Sequence, residues 1–213
     1  MIDLYTWSTP NGRKVSIMLE ECGLQYAAHA IDISKGEQFA PEFLKISPNN
    51  RIPAIVDGET KRSIFESGAI LMYLAEKTGK FWPADADRHW QTVEWLMWQM
   101  GGVGPMFGQV HHFVKYNKGK APYAEERYLK EAKRLYSVLN QRLSNSDYLA
   151  GEYSIADMAT WPWVSRFEWQ TIDLNEYPHV ARWYKAIAAR PAVQKGYHVP
   201  VKQPGIPMPA SST

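Results

Sequence analysis

The 213-residue chain holds one cysteine, Cys22, so no disulfide can form within it and no C-x-x-C pair is available. The gap matters because "STPNGRKVSIMLEECG", residues 8 to 23, reads as a strand end, a tight turn and a helix, a place where redox folds keep a nucleophilic thiol. This turn offers Thr9, Pro10 and Asn11 instead. Long apolar runs are also missing: "GAILMYLA" falls far short of the ~20 residues a membrane-spanning helix needs, and no span is expected. Neither is there a long basic run. A net charge of +2 from interspersed residues supplies no phosphate-tracking surface, and nucleic acid binding is not expected. The start, "MIDLY", has neither a basic segment nor a following apolar region; with so little cysteine, a reducing cytoplasmic setting is expected. What is present is a 45% hydrophobic content with 22% charged residues, enough for one substantial core or two modest ones.

Residues 1 to 80 alternate short strands and helices. "IDLYT" is strand-like, and Val15, Met18, Leu19 and Cys22 then recur at helical spacing up to Gly23, a C-terminal stop, which places Cys22 in a core. "YAAHAIDI" is a second strand, "SKGEQFAP" a loop, and "EFLKIS" a short helix before the Asn49, Asn50 turn. "RIPAIVDG" and "RSIF" form a hairpin pattern, and "ESGAILMYLAEKTG" a closing helix. The order predicts a compact α/β domain. After a linker, "KFWPADA", the pattern turns helical over 86 to 195. "GGVGP" is expected to kink or break the first long helix, within 86 to 116, and a second runs over 122 to 143. In "YSIADMATWPWV", Ser154 and Asp157 have capping-box spacing ahead of a buried helix. "HVARWYKAIAAR" is expected to stop before Pro191, and residues 196 to 213, rich in Pro and small residues, read as an extended tail.

Two local features bear on chemistry. The Ile52-Pro53 bond removes a ladder donor at a strand start and leaves the backbone of Ile52 open to an extended peptide; an edge strand with a tolerated proline is the plainer account. A cis bond there would hold Ile52 outward. Glu66 and Ser67 open a helix, where unpaired N–H groups and a hydroxyl receive a carboxylate while the acid pairs with an ammonium group. A simple helix cap fits the same pair. Tyr5 and Trp7, at the first strand, read as packing residues. His111 and His112 point about 100° apart on a helix, so they lack metal-ligand spacing and suit a helix surface or domain contact. Met106, Phe107 and Phe113 suit either core packing or an apolar pocket.

Taken together and in order, "TPNG", "GEQF", "ISPNNRIPAIVD", "FESGAILMYLAEKTG", "WQMGGVGPMFGQVHHF" and "YSIADMATWPWV" resemble the bacterial nu class of the glutathione transferase superfamily over nearly the whole chain. The resemblance implies a thioredoxin-like first domain and an all-helical second domain, hence the architecture of cytosolic glutathione transferases. It implies that Glu66 and Ser67 hold the γ-glutamyl group of glutathione, that the main chain of Ile52, ahead of cis-Pro53, pairs with the cysteinyl portion, and that Gln38 contacts the ligand. Arg51 has a charge suited to the glycyl carboxylate, and Arg127 in "YAEERY" resembles an arginine that reaches a glutathione carboxylate, with a salt bridge inside its helix as the competing account. Thr9 and Asn11 match the positions beside the bound sulfur.

The missing cysteine then has an explanation: the sulfur belongs to glutathione, whose thiolate a helix N-terminus and hydroxyl or amide donors favour. The expected function is reduction of small disulfides by two bound glutathione molecules, with no metal. Conjugation of electrophiles or reduction of peroxides is a second enzymatic reading, since one fold hosts several activities. A glutathione-binding regulatory module is a contrasting class, because relatives of this group include a nitrogen-regulation protein in yeast. The superfamily resemblance also implies a homodimer.

Overall fold

The computed structural model describes residues 1–210, so the last three residues of the sequence-predicted tail lie outside the described part. The chain forms two compact units, Met1–Trp82 with Ala189–Ile206, and Pro83–Ala188 with the segment that begins at Pro207. In chain order the first contains β1 (Ile2–Thr6), α1 (Pro10–Cys22), β2 (Tyr26–Ala30), α2 (Pro41–Leu44), β3 (Ala54–Asp57), β4 (Arg62–Phe65) and α3 (Ser67–Thr78). The second contains α4 (Ala86–Trp98), α5 (Gly104–Val110), α6 (Pro122–Leu143), α7 (Ile155–Val164) and α8 (Pro178–Ala188), after which α9 (Pro191–Gly196) belongs again to the first. Among the described residues no helix is long and apolar enough to cross a membrane.

The first unit is a four-stranded sheet of order β2-β1-β3-β4, with β1 parallel to β2 and antiparallel to β3, and β3 antiparallel to β4. Ile2, Leu4, Ala54 and Ile55 of the sheet are buried, as are Ile70, Leu71 and Leu74 of α3. Val15, Met18, Leu19 and Cys22 are buried as their spacing predicts, and Gly23 ends α1 with φ 69°, a left-handed conformation that glycine adopts freely. The burial of α1 extends further, from Gly12 through Leu19, because α9 covers its second face. A side chain at Gly196 would put a Cβ 2.8 Å from the Ile17 backbone, and Ser16 Oγ donates to the Gly196 carbonyl at 2.8 Å. The Arg13 guanidinium lies 3.7 Å over the Tyr197 ring.

α8 stops at Ala188, before Pro191 as expected, but the sequence reading did not place the further short helix α9 that follows. Proline occupies the first turn of α9, where its missing N–H has no partner to lose. The segment 189–206 accordingly groups with the first unit, although patterning put residues up to 195 with the helices. β3 is likewise not an edge strand: it lies between β1 and β4, and Pro53 is accommodated because pairing begins one residue later, at Ala54.

In the helical unit the "GGVGP" segment does not break the helix. Residues Gln99–Val103 widen into a π turn, with Gly104 N–H bonded to the Gln99 carbonyl, and α5 continues through Pro105. A wide turn absorbs a residue that lacks a donor, and a Cβ at Gly104 would stand 2.9 Å from Gln99 Nε2, so that the Gln99 side chain would have to shift. A second π turn, His111–Tyr116, follows α5. The predicted capping box is present: Ser154 Oγ accepts from Ala156 N at 3.3 Å, and Asp157 Oδ2 accepts from Ser154 N at 3.0 Å. Every residue of α7 is buried.

His111 is not on a helix surface, one of the two placements expected for it; only 8% exposed, it stacks on Trp163 and meets the edge of Trp169. His112 is exposed. Gln170 Nε2 lies 3.2 Å from His111 Nε2 and donates to the Trp163 carbonyl, while Gln170 Oε1 accepts from Tyr136, so the imidazole is the acceptor and is neutral. Burial first, and the Arg166 charge second, lower its pKa to about 4. The unfolded chain therefore takes up this proton near pH 6.5 while the native state resists it, and stability is expected to fall as pH drops from 6.5 to 4, by about 3 kcal/mol from this residue. Urea unfolding across that range should show a flatter slope for His111→Gln; an unchanged slope would contradict the assignment.

Candidate functional site

The strand register gathers the sequence-predicted residues of the first unit at one end of its sheet. Thr6, the last residue of β1, pairs with Ala30 at the end of β2, while Tyr5 pairs with Ala54, the first residue of β3, which in turn pairs with Phe65, the last of β4. The turn before α1, the loop after β2, the Ile52-Pro53 segment and the start of α3 all emerge there. Two helix N-termini, of α1 and α3, bring their unpaired N–H groups and partial positive charge to the same end.

Thr9 is the N-cap of α1, and its Oγ1 accepts from Gly12 N at 3.1 Å. The cap uses a lone pair and not the hydroxyl proton, so capping does not consume the donor of Thr9. Pro10 and Asn11 fill the first helical turn. Gly12 permits the turn to close: a Cβ would stand 2.2 Å from the Trp7 carbonyl oxygen and 2.5 Å from Thr6 Oγ1. Tyr5 stacks on His29 with ring centroids 4.7 Å apart, in line with a packing role.

Gln38 lies in a 3-10 turn, Glu37–Phe39, held by Glu37 Oε2 accepting from Asp32 N at 2.7 Å. Gln38 Oε1 is buried without a hydrogen-bond partner among the described residues, a condition that a ligand donor would relieve. Ile52-Pro53 is cis, and Ile52 precedes the β3 ladder, so none of the strand pairings uses its backbone. Arg51 is exposed, and its carbonyl accepts from Ser47 Oγ at 2.8 Å.

Glu66 has φ 70° and ψ 115°, outside the regions an L-residue ordinarily occupies. Its carbonyl accepts the Ile70 N–H at 2.9 Å, but its carboxylate makes no capping bond, so the side chain is not spent on its own helix. Beneath it lies a residue that the sequence reading missed. Lys14 of α1 is 1% exposed, and its Nζ donates to Ser67 Oγ at 3.2 Å. Burial lowers its pKa to about 7 against the opposing attraction of Glu66. A signal existed: Lys14, Met18 and Cys22 share one stripe at i, i+4 and i+8, a charge where the pattern asks for an apolar group.

Cys22 stands at the other end of α1, roughly 20 Å along the helix from Thr9. It is buried, its Sγ lies 3.5 Å from Thr78 Oγ1, and burial pushes its thiol pKa up. Among the described residues no group of three or more His, Cys, Asp or Glu could hold a metal ion.

In the helical unit, exposed Arg127 lines a hollow of about 740 Å3 with Met106, Tyr123, Tyr128 and Arg134. The alternative of a salt bridge within α6 is not what the structure contains: Glu131, four residues on, pairs with Arg134 at 2.7 Å, and Arg127 makes no ion pair among the described residues. Phe107 is core, stacked on Tyr136, whereas Phe113 stacks on Tyr128.

A thioredoxin-like sheet with helix N-termini and a cis-proline at one end, joined to a separate helical unit, defines the class of glutathione transferases. Residues 1–76 match the family model of the glutathione S-transferase N-terminal domain and residues 103–191 that of the C-terminal domain, and the chain belongs to this family. It is 55% identical over 198 residues to the disulfide-bond oxidoreductase YfcG of Escherichia coli K12, covering 90% of this chain and 92% of that one. Among solved structures it is similar to a glutathione transferase from Pseudomonas putida with one glutathione disulfide bound per subunit (TM-score 0.88, 45% identity, 93% and 91% of the two chains). A glutathione transferase from Burkholderia graminis with two glutathione molecules bound per subunit is also similar (TM-score 0.86, 45% identity, 93% and 88%).

Proposed function

We propose that this protein is a cytoplasmic, homodimeric glutathione-dependent disulfide-bond oxidoreductase in which glutathione brings the reactive sulfur. The observation that carries the reading is the Thr9-capped turn, set at the end of the sheet that gathers Glu66, Ser67, Gln38 and Ile52, with the one cysteine of the chain buried at the far end of α1. The similarity to YfcG and to structures holding one glutathione disulfide or two glutathione molecules supports it.

In this reading the α-carboxylate of glutathione lies on Ser67 and the N-terminus of α3, and its α-ammonium on Glu66. The backbone of Ile52, ahead of Pro53, pairs with the cysteinyl portion, Gln38 accepts from a ligand donor through its unpartnered Oε1, and Arg51 takes a carboxylate. Thr9 O–H and the Asn11 side-chain amide donate to the sulfur and favour its thiolate. The first thiolate attacks one sulfur of the substrate disulfide, forming a mixed disulfide and releasing one thiol, which takes up the proton lost by the glutathione. A second glutathione thiolate attacks the mixed disulfide, releasing the second thiol and leaving glutathione disulfide. Two glutathione molecules are oxidised and one disulfide is reduced.

The test is glutathione-dependent reduction of hydroxyethyl disulfide beside a standard electrophile. Cys22→Ser should retain full turnover, and Asn11→Ala should lose roughly tenfold or more in kcat/KM, the worth of one hydrogen bond to a charged group. Loss of activity in Cys22→Ser would overturn the ligand-borne mechanism. Conjugation of the electrophile without disulfide turnover would make the protein a transferase of the conjugating kind, and tight glutathione binding with neither activity would make it a regulatory module.

A further inference from the structure

The turn that opens α1 carries a covalent liability. Asn11-Gly12 is the one Asn-Gly pair in the chain, the pair in which the following backbone nitrogen most readily attacks the side-chain amide, because glycine has no Cβ to hinder the approach. Both residues are fixed by the site. A Cβ at Gly12 would stand 2.2 Å from the Trp7 carbonyl oxygen, which already accepts from Thr9 N at 2.7 Å, so no larger residue fits; in the reading above, the Asn11 amide donates to the sulfur. What keeps the pair intact is the helix start. Asn11 lies in the first turn of α1, and ring closure requires it to leave the helical ψ. Gly12 N–H is one of the donors that a helix start leaves without a carbonyl partner, and Thr9 Oγ1 holds it at 3.1 Å.

We propose that Asn11 is a site of spontaneous deamidation gated by the Thr9 cap, so that opening of this single turn, and not unfolding of the chain, sets its rate. Opening the turn breaks one cap, whereas global unfolding must break a whole core. When the cap lets go, the Gly12 nitrogen gives its proton to solvent base and bonds to Asn11 Cγ; the Cγ–Nδ2 bond breaks, and the amide nitrogen takes up a proton and leaves as ammonia. Water then opens the cyclic imide at either carbonyl, giving aspartate or isoaspartate. Both products exchange a neutral donor for a carboxylate, and isoaspartate also adds a methylene to the main chain within the helix start. A negative charge there opposes a thiolate, so the modified protein loses disulfide turnover. That loss rests on the reading of Asn11 as a donor to the sulfur; the bond rearrangement does not. The capping lone pair of Thr9 thus protects the amide that works beside its hydroxyl proton.

The experiment incubates the full chain in mildly alkaline buffer and follows, by mass spectrometry, the proteolytic fragment that contains Asn11, where replacement of NH2 by OH appears as a mass gain. Thr9→Ala should deamidate roughly fivefold faster than the wild type, the effect of one lost helix cap on the population of the open turn. Thr9→Ser, which keeps the capping oxygen, should match the wild type, and so should Ser154→Ala, which removes the cap of α7 in the other unit. A Thr9→Ala rate no faster than the wild type would overturn the gate, and equal acceleration in Ser154→Ala would replace it with global unfolding. The wild type in urea, where no turn protects the pair, should deamidate fastest; a rate there no higher than in the folded chain would overturn protection by the fold. Asn11→Asp tests the consequence separately: it should fold, and lose roughly tenfold or more of its glutathione-dependent turnover of hydroxyethyl disulfide. Full turnover in Asn11→Asp would overturn the loss of function and the donor reading of Asn11 with it, whatever the mass measurements give.

Discussion

Asp157→Ala is expected to lower stability by about 3 to 5 kcal/mol, the loss typical of a buried charge network broken at one member. Asp157 is fully buried at the start of α7 and accepts four hydrogen bonds. Oδ1 takes Leu149 N at 3.0 Å and Trp183 Nε1 at 2.8 Å, and Oδ2 takes Ser154 N at 3.0 Å and Ser154 Oγ at 3.2 Å. Burial raises its carboxyl pKa to about 6 against the pull of these donors, so it is ionised at neutral pH. Alanine removes the acceptor and strands three buried N–H groups, each costing about 1 to 3 kcal/mol when left unpaired, beyond the ~1 kcal/mol of the cap itself. Asp157→Asn keeps one oxygen but turns an N–H2 toward donors, and should fall between the two. Urea unfolding followed by tryptophan fluorescence reads this directly, since Trp183 is one of the partners. A loss under 1 kcal/mol would mean that the four bonds are not what holds this helix start.

That capping box is visible in the sequence because its two side chains stand three residues apart and act on their own turn. The same locality makes the α1 stripe, the Gly23 stop and the order of strands legible. What escapes is set by partners far along the chain. Pro191 looks like an ending until Gly196 is seen against Ile17, and Pro53 looks like an edge residue until β4 is seen to flank β3. The π turn through Gly104 follows from the approach of Gln99 and Trp163, and the burial of His111 from two tryptophans more than fifty residues away. At the candidate site, the open backbone of Ile52 and the Glu66, Ser67 helix start are visible in the residues themselves, whereas Thr9, Asn11 and Gln38 come only with the family resemblance, because each is an ordinary turn or cap residue when read alone. Lys14 carries only the weaker signal of a charge in an apolar stripe.

Glu66→Ala is expected to weaken glutathione binding by roughly tenfold to a hundredfold while the fold persists, the worth of a charge-assisted hydrogen bond. The backbone makes the test sharper than a single variant would. At φ 70° and ψ 115° any L-residue is strained, by about 1 to 3 kcal/mol, and Glu66 is no exception. Alanine inherits that strain and loses the carboxylate. Glycine relieves it, so Glu66→Gly should be more stable than Glu66→Ala by about 1 to 2 kcal/mol, yet bind glutathione no better. Thermal unfolding and calorimetry on the two variants therefore separate what the backbone costs from what the side chain does. A carboxylate that makes no capping bond, on a residue held in a costly conformation, over a buried lysine, is stability given up for placement. Wild-type affinity in Glu66→Ala would remove the γ-glutamyl assignment. Restored affinity in Glu66→Gly would show that the strain, and not the charge, had been limiting the site.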